Sequence, residues 1–163
     1  MPIRTLTMAD YPAVYELWTH SEGICISATD DTPESIARFL TRNPTTCFAA
    51  EVQGALVGVI LAGHDGRRGF LYHMVVAPGA RRQGVGKQLV EAALAALQAE
   101  GIRKVALLVL NQNAGGNAFW ERCGFEARPD LTYRNLEFVT APDACGGSAV
   151  SGSCGCGCGC GCG

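Results

Sequence analysis

Apolar residues recur along this chain in two rhythms, one suited to strands and one to helices, and their order lays out the elements. Ile3 and Leu6 begin a short strand-like piece. Asp10 and Pro12 then mark a helix start, followed by Val14, Tyr15, Leu17 and Trp18 at helical spacing. Asp31, Pro33 and Glu34 stand in a capping-box arrangement that opens a second helix, with Ile36, Phe39 and Leu40 on its apolar face and Asn43-Pro44 at its end. Two apolar runs, 46–52 and 55–62, are split by Gln53-Gly54 and predict an antiparallel hairpin. Asp65-Gly66 leads through Arg67 and Arg68 into a third run, 70–76, closed by Pro78.

From 84 to 100 the residues Val85, Leu89, Val90, Ala93, Leu94 and Leu97 follow a helical period, and Gly101 is a natural terminator. This is the strongest helix the pattern contains. After it come an apolar strand at 104–110, a short helix at 118–123 closed by Gly124, and a final hairpin from Phe125 through Tyr133 to Phe138. A mostly antiparallel set of strands with one crossover helix predicts an α+β fold in a single domain over 1–140.

A chain of 163 residues has room for one domain and not comfortably for two. With 13 Lys and Arg against 15 Asp and Glu, the net charge of -2 gives no basic field for a nucleic-acid partner. The N-terminus places Asp10 and Glu16 inside its apolar pattern, unlike a signal peptide, and no apolar run approaches the ~20 residues that span a bilayer. A cytoplasmic protein with no membrane partner is the expectation.

The last stretch differs from the rest. Residues 145–163 hold 6 of the 9 cysteines and 8 of the 21 glycines without a single charge. Cys154, Cys156, Cys158, Cys160 and Cys162 alternate with glycine, and such closely spaced thiols are soft ligands for Zn(II), Cu(I), Cd(II) or an iron-sulfur centre. The plainer reading of 141–163 is a disordered Gly/Cys-rich tail on which catalysis does not depend. The remaining cysteines, Cys25, Cys47 and Cys123, have no base beside them in sequence, and none is nominated as a nucleophile.

The chemistry-bearing segment is Arg81-Arg82-Gln83-Gly84-Val85-Gly86-Lys87, between a strand end and the strongest helix. Unpaired amides and the positive end of the helix dipole suit a pyrophosphate there, with Arg81, Arg82 and Lys87 adding charge. The spacing is not that of a Walker A loop and lacks the third glycine of a dinucleotide fingerprint, which argues against ATP and NAD. Taken alone, Gly84 and Gly86 are better explained by a tight strand-to-helix turn.

In context, Arg81-x-x-Gly84-x-Gly86 after an apolar strand resembles the R/Q-x-x-G-x-G/A acyl-CoA signature of the GNAT acetyltransferase superfamily. Asn113 followed by Phe119-Trp120-Glu121-Arg122-Cys123-Gly124-Phe125 is similar to that superfamily's N-x5-F-Y-E-x-x-G-F segment. The resemblance covers about residues 1–139. It implies acetyl transfer from acetyl-CoA to an amine of a small molecule or protein, by direct attack in a ternary complex. Alternatives are another acyl-CoA donor, an acyl-CoA-binding sensor, or a scaffold for the metal-binding tail. The acceptor is not legible, and a homodimer is among the assemblies allowed.

The same resemblance implies roles. Amides from Arg82 to Lys87, including Gln83 and Val85, hold the pyrophosphate. Backbone groups of Met74 and Val76 face the pantetheine arm between two splayed strands, and an amide at Val75 or Val76 serves the oxyanion. Asn113 bonds the pantetheine arm or, alternatively, caps a helix. His73 is the candidate base, with a solvent-facing histidine as its plain alternative. Strand alternation allows His73 or Tyr72 to face the ligand, but not both. Trp120 stands where many relatives have an acid tyrosine; its indole does not titrate near neutrality, which leaves Tyr133 as a weak substitute or a thiolate that departs unaided. Asp30 or Asp31 is placed to attract a cationic amine, unless Asp31 merely caps the second helix.

Overall fold

The computed structural model describes residues 2–136 and 138. Five strands form one sheet in the order of the chain: β1 (Ile3–Thr5), β2 (Phe48–Val52), β3 (Ala55–His64), β4 (Gly69–Val76) and β5 (Val105–Leu107). The first four run antiparallel, and β5 joins β4 in parallel after a crossover through a helix. Gln53 and Gly54 both take positive φ, 52° and 80°, the backbone a two-residue hairpin turn needs.

Two layers cover the sheet. On one side lie α1 (Tyr11–Thr19) and α2 (Pro33–Arg42), whose Val14, Trp18 and Ile36 are buried with Val59, Leu61 and Val75. On the other lies α3 (Val85–Ala99), which buries Val85, Leu89, Val90, Ala93 and Leu97 against Ile60, Ala62 and Leu71. The α3 residues fall on one helical face, so a single stripe supplies most of that core. α4 (Ala114–Arg122) adds Phe119 and Trp120 to the same side.

Some boundaries differ from the sequence-based expectation. α2 is capped by Thr32, whose hydroxyl accepts from the Ser35 amide at 3.2 Å, and not by Asp31. α4 begins at Ala114 instead of 118, because the Asn113 cap carries the helix through Gly115 and Gly116, a pair that reads as a breaker. β5 is three residues long, not seven. The expected hairpin from Phe125 to Phe138 is absent among the described residues, where no strand follows α4. Its apolar positions, Leu131, Tyr133, Leu136 and Phe138, change from a spacing of two to three, which breaks the alternation a strand face requires. The chain from Ala127 onward forms a unit of its own, and those four side chains are exposed within it.

Among the described residues no helix is long and apolar enough to cross a membrane. The five tail cysteines singled out as soft-metal ligands lie outside the described residues.

Candidate active site

The site is built around β4 and the turn that follows it. Val59 pairs with Val75 and Leu61 with Tyr72, so Ile60 alone stands opposite His73 and Met74. This is a β-bulge, and His73 absorbs it with φ +45°. An inserted residue resets the alternation of side chains. Leu71 and Met74 pack toward α3, while Tyr72 meets Phe39 of α2 at 5.7 Å and His73 meets Trp18 of α1 at 4.8 Å between ring centres. Strand alternation predicts opposite faces for Tyr72 and His73, and the bulge corrects this: both lie on the α1–α2 side.

His73 Nε2 lies 2.6 Å from Asp31 Oδ1, in the connection between α1 and α2. Asp31 is 5% exposed, and its second oxygen accepts from the Ser27 amide at 2.7 Å. Burial alone pushes this carboxyl upward, but the bonds from His73 and Ser27 outweigh it and hold the group below the ordinary carboxylate range. Asp30, its neighbour, is exposed.

Beyond Leu71 the strands part. β5 pairs with Gly69, Phe70 and Leu71, and among the described residues β4 from His73 to Val76 has no ladder partner on that edge. The Ala77 amide donates to Val57 on β3, and the alternation of an antiparallel ladder turns the groups of Val76 the other way, toward the gap. Val75 is turned to β3. The Val76 carbonyl accepts from Arg81 Nε at 3.0 Å, so the Arg81 side chain clips the strand end, and this carbonyl is occupied. Gln83 likewise folds back, its Nε2 donating to the Gly79 carbonyl at 2.9 Å.

Arg82 and Gly84 both adopt left-handed backbone, φ 62° and 81°, at the entrance to α3. The first helical bond runs from the Gln88 amide to the Gly84 carbonyl, so the amides of the preceding residues have no intrahelical acceptor. A concave row of such donors fits a diphosphate. Gly84 supplies the left-handed turn. Gly86 has a further reason to lack a side chain: a Cβ there would stand 3.2 Å from Phe119 and 3.3 Å from Met74, so it also sets how closely α3 packs on α4 and β4. Lys87 is exposed beside Glu91, and a groove of about 320 Å³ bordered by Lys87, Glu91, Phe119, Arg122 and Cys123 runs on from the loop.

The remaining expected residues lie farther along the chain. Asn113 Oδ1 accepts from the Gly116 amide at 2.8 Å, so it caps α4. Trp120 is wedged edge-on between Phe119 and Phe125 at 5.1 and 5.4 Å, a packing role. Tyr133 belongs to the unit after Ala127 and is 67% exposed. Burial raises the Cys47 thiol to about 11 and pushes Cys123 upward as well, which leaves both poor nucleophiles. Among the described residues no group of three metal-ligating side chains occurs.

Reasoning from sequence leaves Asp31 as a helix cap or an attractant for a cationic amine, and Trp18 as one core residue among several; Trp18 is in the core, and Asp31 meets His73, a partnership the sequence does not announce.

Known proteins resemble this chain in sequence and in fold. An acetyltransferase of Yersinia enterocolitica is 30% identical over 131 residues, 80% of this chain and 92% of that protein. The aminoglycoside 6'-N-acetyltransferase of Acinetobacter haemolyticus shares the fold at TM-score 0.69 and 18% identity, covering 85% of this chain and all of that one. The PaiA N-acetyltransferase of Thermoplasma acidophilum, solved with coenzyme A, does so at TM-score 0.67 and 20% identity over 78% of this chain and 90% of that one. The acetyltransferase (GNAT) family model matches residues 10–125, across the bulged strand, the left-handed turn into α3 and the capped α4, and the chain belongs to that family.

Proposed function

We propose that this protein moves an acetyl group from acetyl-CoA to an amine in a ternary complex. The observation that carries the reading is the left-handed turn at Arg82 and Gly84, which enters α3 just after the end of β4 that β5 does not pair. The amides from Arg82 to Lys87 hold the diphosphate, and the charge of Arg82 and Lys87 reinforces them. The adjoining groove, with Lys87 and Arg122 on its border, suits the nucleotide end. The pantetheine arm lies along the open edge of β4. Acetyl-CoA supplies the acetyl group as a thioester. Of the two amides expected to serve the oxyanion, Val76 faces the gap and Val75 does not; a donor of this kind contributes about 3 kcal/mol to the barrier.

An amine arrives as an ammonium ion and attacks only when neutral. His73, at the bulge, takes that proton. With Trp120 locked in aromatic packing, the thiol leaves as thiolate, which a pKa of ~8.5 permits.

Calorimetry with coenzyme A and mass spectrometry of a panel of amines incubated with the full chain and acetyl-CoA test this reading. Heat with coenzyme A and a mass gain of one acetyl group on at least one amine are expected. Absence of heat removes the proposal, and heat without any acetylated product favours a sensor.

A further inference from the structure

The pair formed by Asp31 and His73 has a chemistry that the loop does not need. Ser27, Thr29 and Asp31 already close the α1–α2 connection: the Asp31 amide donates to the Ser27 carbonyl at 3.1 Å, and Tyr11 Oη donates to the Asp31 carbonyl at 2.8 Å. An asparagine would serve such a turn equally well. A carboxylate at this depth costs several kcal/mol of desolvation unless hydrogen-bonded partners offset it. One oxygen is met by the Ser27 amide; the other meets only the imidazole among the bonds described for it.

An ionised carboxylate can only accept. Nε2 of His73 must therefore carry the hydrogen in this contact, and the lone pair is left on Nδ1. The ring is held from three directions at once: by Asp31 at its Nε2, by the Trp18 ring at 4.8 Å, and by a backbone in the left-handed region at φ +45°. Its side chain remains 21% exposed, so the ring is not sealed in the core. Trp18 Nε1 is itself buried, with no hydrogen-bond partner among the described residues.

We propose that Asp31 is a positioning residue that fixes His73 as the Nε2–H tautomer, making Nδ1 the atom that removes the acceptor's proton. This rests on His73 being the base. In the step, Nδ1 takes one proton from the ammonium; the freed nitrogen pair forms the C–N bond, the C–S bond breaks with its pair on sulfur, and the second nitrogen proton neutralises the thiolate. His73 then returns its proton to solvent. Asp31 stays ionised throughout and stabilises the imidazolium that forms.

Nitrogen-15 histidine NMR on the full chain gives the test a readout independent of turnover. Wild type should show His73 protonated at Nε2, and Asp31→Asn, whose oxygen stays with the Ser27 amide and whose NH2 then faces Nε2, should move the proton to Nδ1. With the same substitution, kcat should fall by about 10²- to 10³-fold while KM for acetyl-CoA stays within about twofold. Asp31→Glu should recover at least about tenfold of that loss, and Asp31→Asn with His73→Asn should be no slower than His73→Asn alone. A wild-type ring protonated at Nδ1 overturns the proposal without any variant, which covers the case where Asp31→Asn fails to fold. So does a double variant slower than His73→Asn by the full factor of Asp31→Asn. If His73→Asn alone keeps the wild-type rate, the base assignment falls, whereas the tautomer measurement still decides whether Asp31 sets the ring.

Discussion

The two faces of β4 come from the same eight residues and serve opposite ends. Toward α3 the strand presents Leu71, Met74 and Val76 to an apolar stripe that contains Leu89 and Leu97, both fully buried. Toward α1 and α2 it presents Tyr72, His73 and Val75, and there the neighbours are aromatic rings and a buried carboxylate. A regular strand would have given each face every second residue. The bulge hands one additional residue to the α1–α2 side, and that residue is the histidine. One face is thus optimised for packing, and the other accepts left-handed backbone and a buried charge, the local costs that functional sites carry.

If that division is correct, the two faces fail in different ways. The largest effect belongs to His73→Asn, chosen because asparagine tolerates positive φ and leaves the bulge intact. It should lower kcat by about 10²- to 10⁴-fold in steady-state assays with little change in melting temperature. Leu89→Ala, on the packing face, should cost about 3 kcal/mol in urea unfolding, and the folded fraction should retain its KM for acetyl-CoA. An equal loss of kcat in the two variants, once corrected for folded protein, would erase the contrast.

Gly84→Ala tests the junction between the faces. With φ +81° a Cβ there costs roughly 1 kcal/mol of stability, and KM for acetyl-CoA should rise several-fold at nearly constant kcat. The smallest effect concerns the seating of α1. Arg4 reaches Asp10 at the start of α1 and Glu51 on β2, and its hydrogen bond holds Asp10 down to about 2 from an ordinary 3.8. Because the folded value is the lower one, the contribution is complete above pH ~4 and is lost as the pH falls through about 2. Arg4 is more than one-third exposed, so screening limits the amount to about 1 kcal/mol. Asp10→Asn should remove that part of the acid dependence of the melting temperature and leave the rest of the curve in place.

Much of this layout is legible in the residue pattern. The helical period from Val85 to Leu97, the Gln53-Gly54 turn and the glycine turn before α3 are local signals, and the structure places elements there. The bulge is not local. It arises from the pairing of β4 with β3, and no residue type announces that Ile60 will face two partners. Period-two reasoning therefore separates Tyr72 from His73, and the partnership with Asp31, 42 positions earlier, follows only once both layers are assembled. The capping of α4 was among the alternatives open for Asn113, but Gly115-Gly116 masked how early that helix begins. At the other end of α4 the error had a different origin: Leu131 and Tyr133 suggest a strand face that Leu136 does not continue.

Gly23 gives the α1–α2 connection one fixed point. It adopts φ +82°, and a methyl group in its place would come within 2.6 Å of the Asn113 amide nitrogen. Most side chains in the stretch between α1 and α2 are not committed to the core, so this loop has room to vary. Drift in that loop is nevertheless tethered at this contact: anything bulkier at position 23 leans on the Asn113 side chain, so a shift there would be passed to the residue that caps α4.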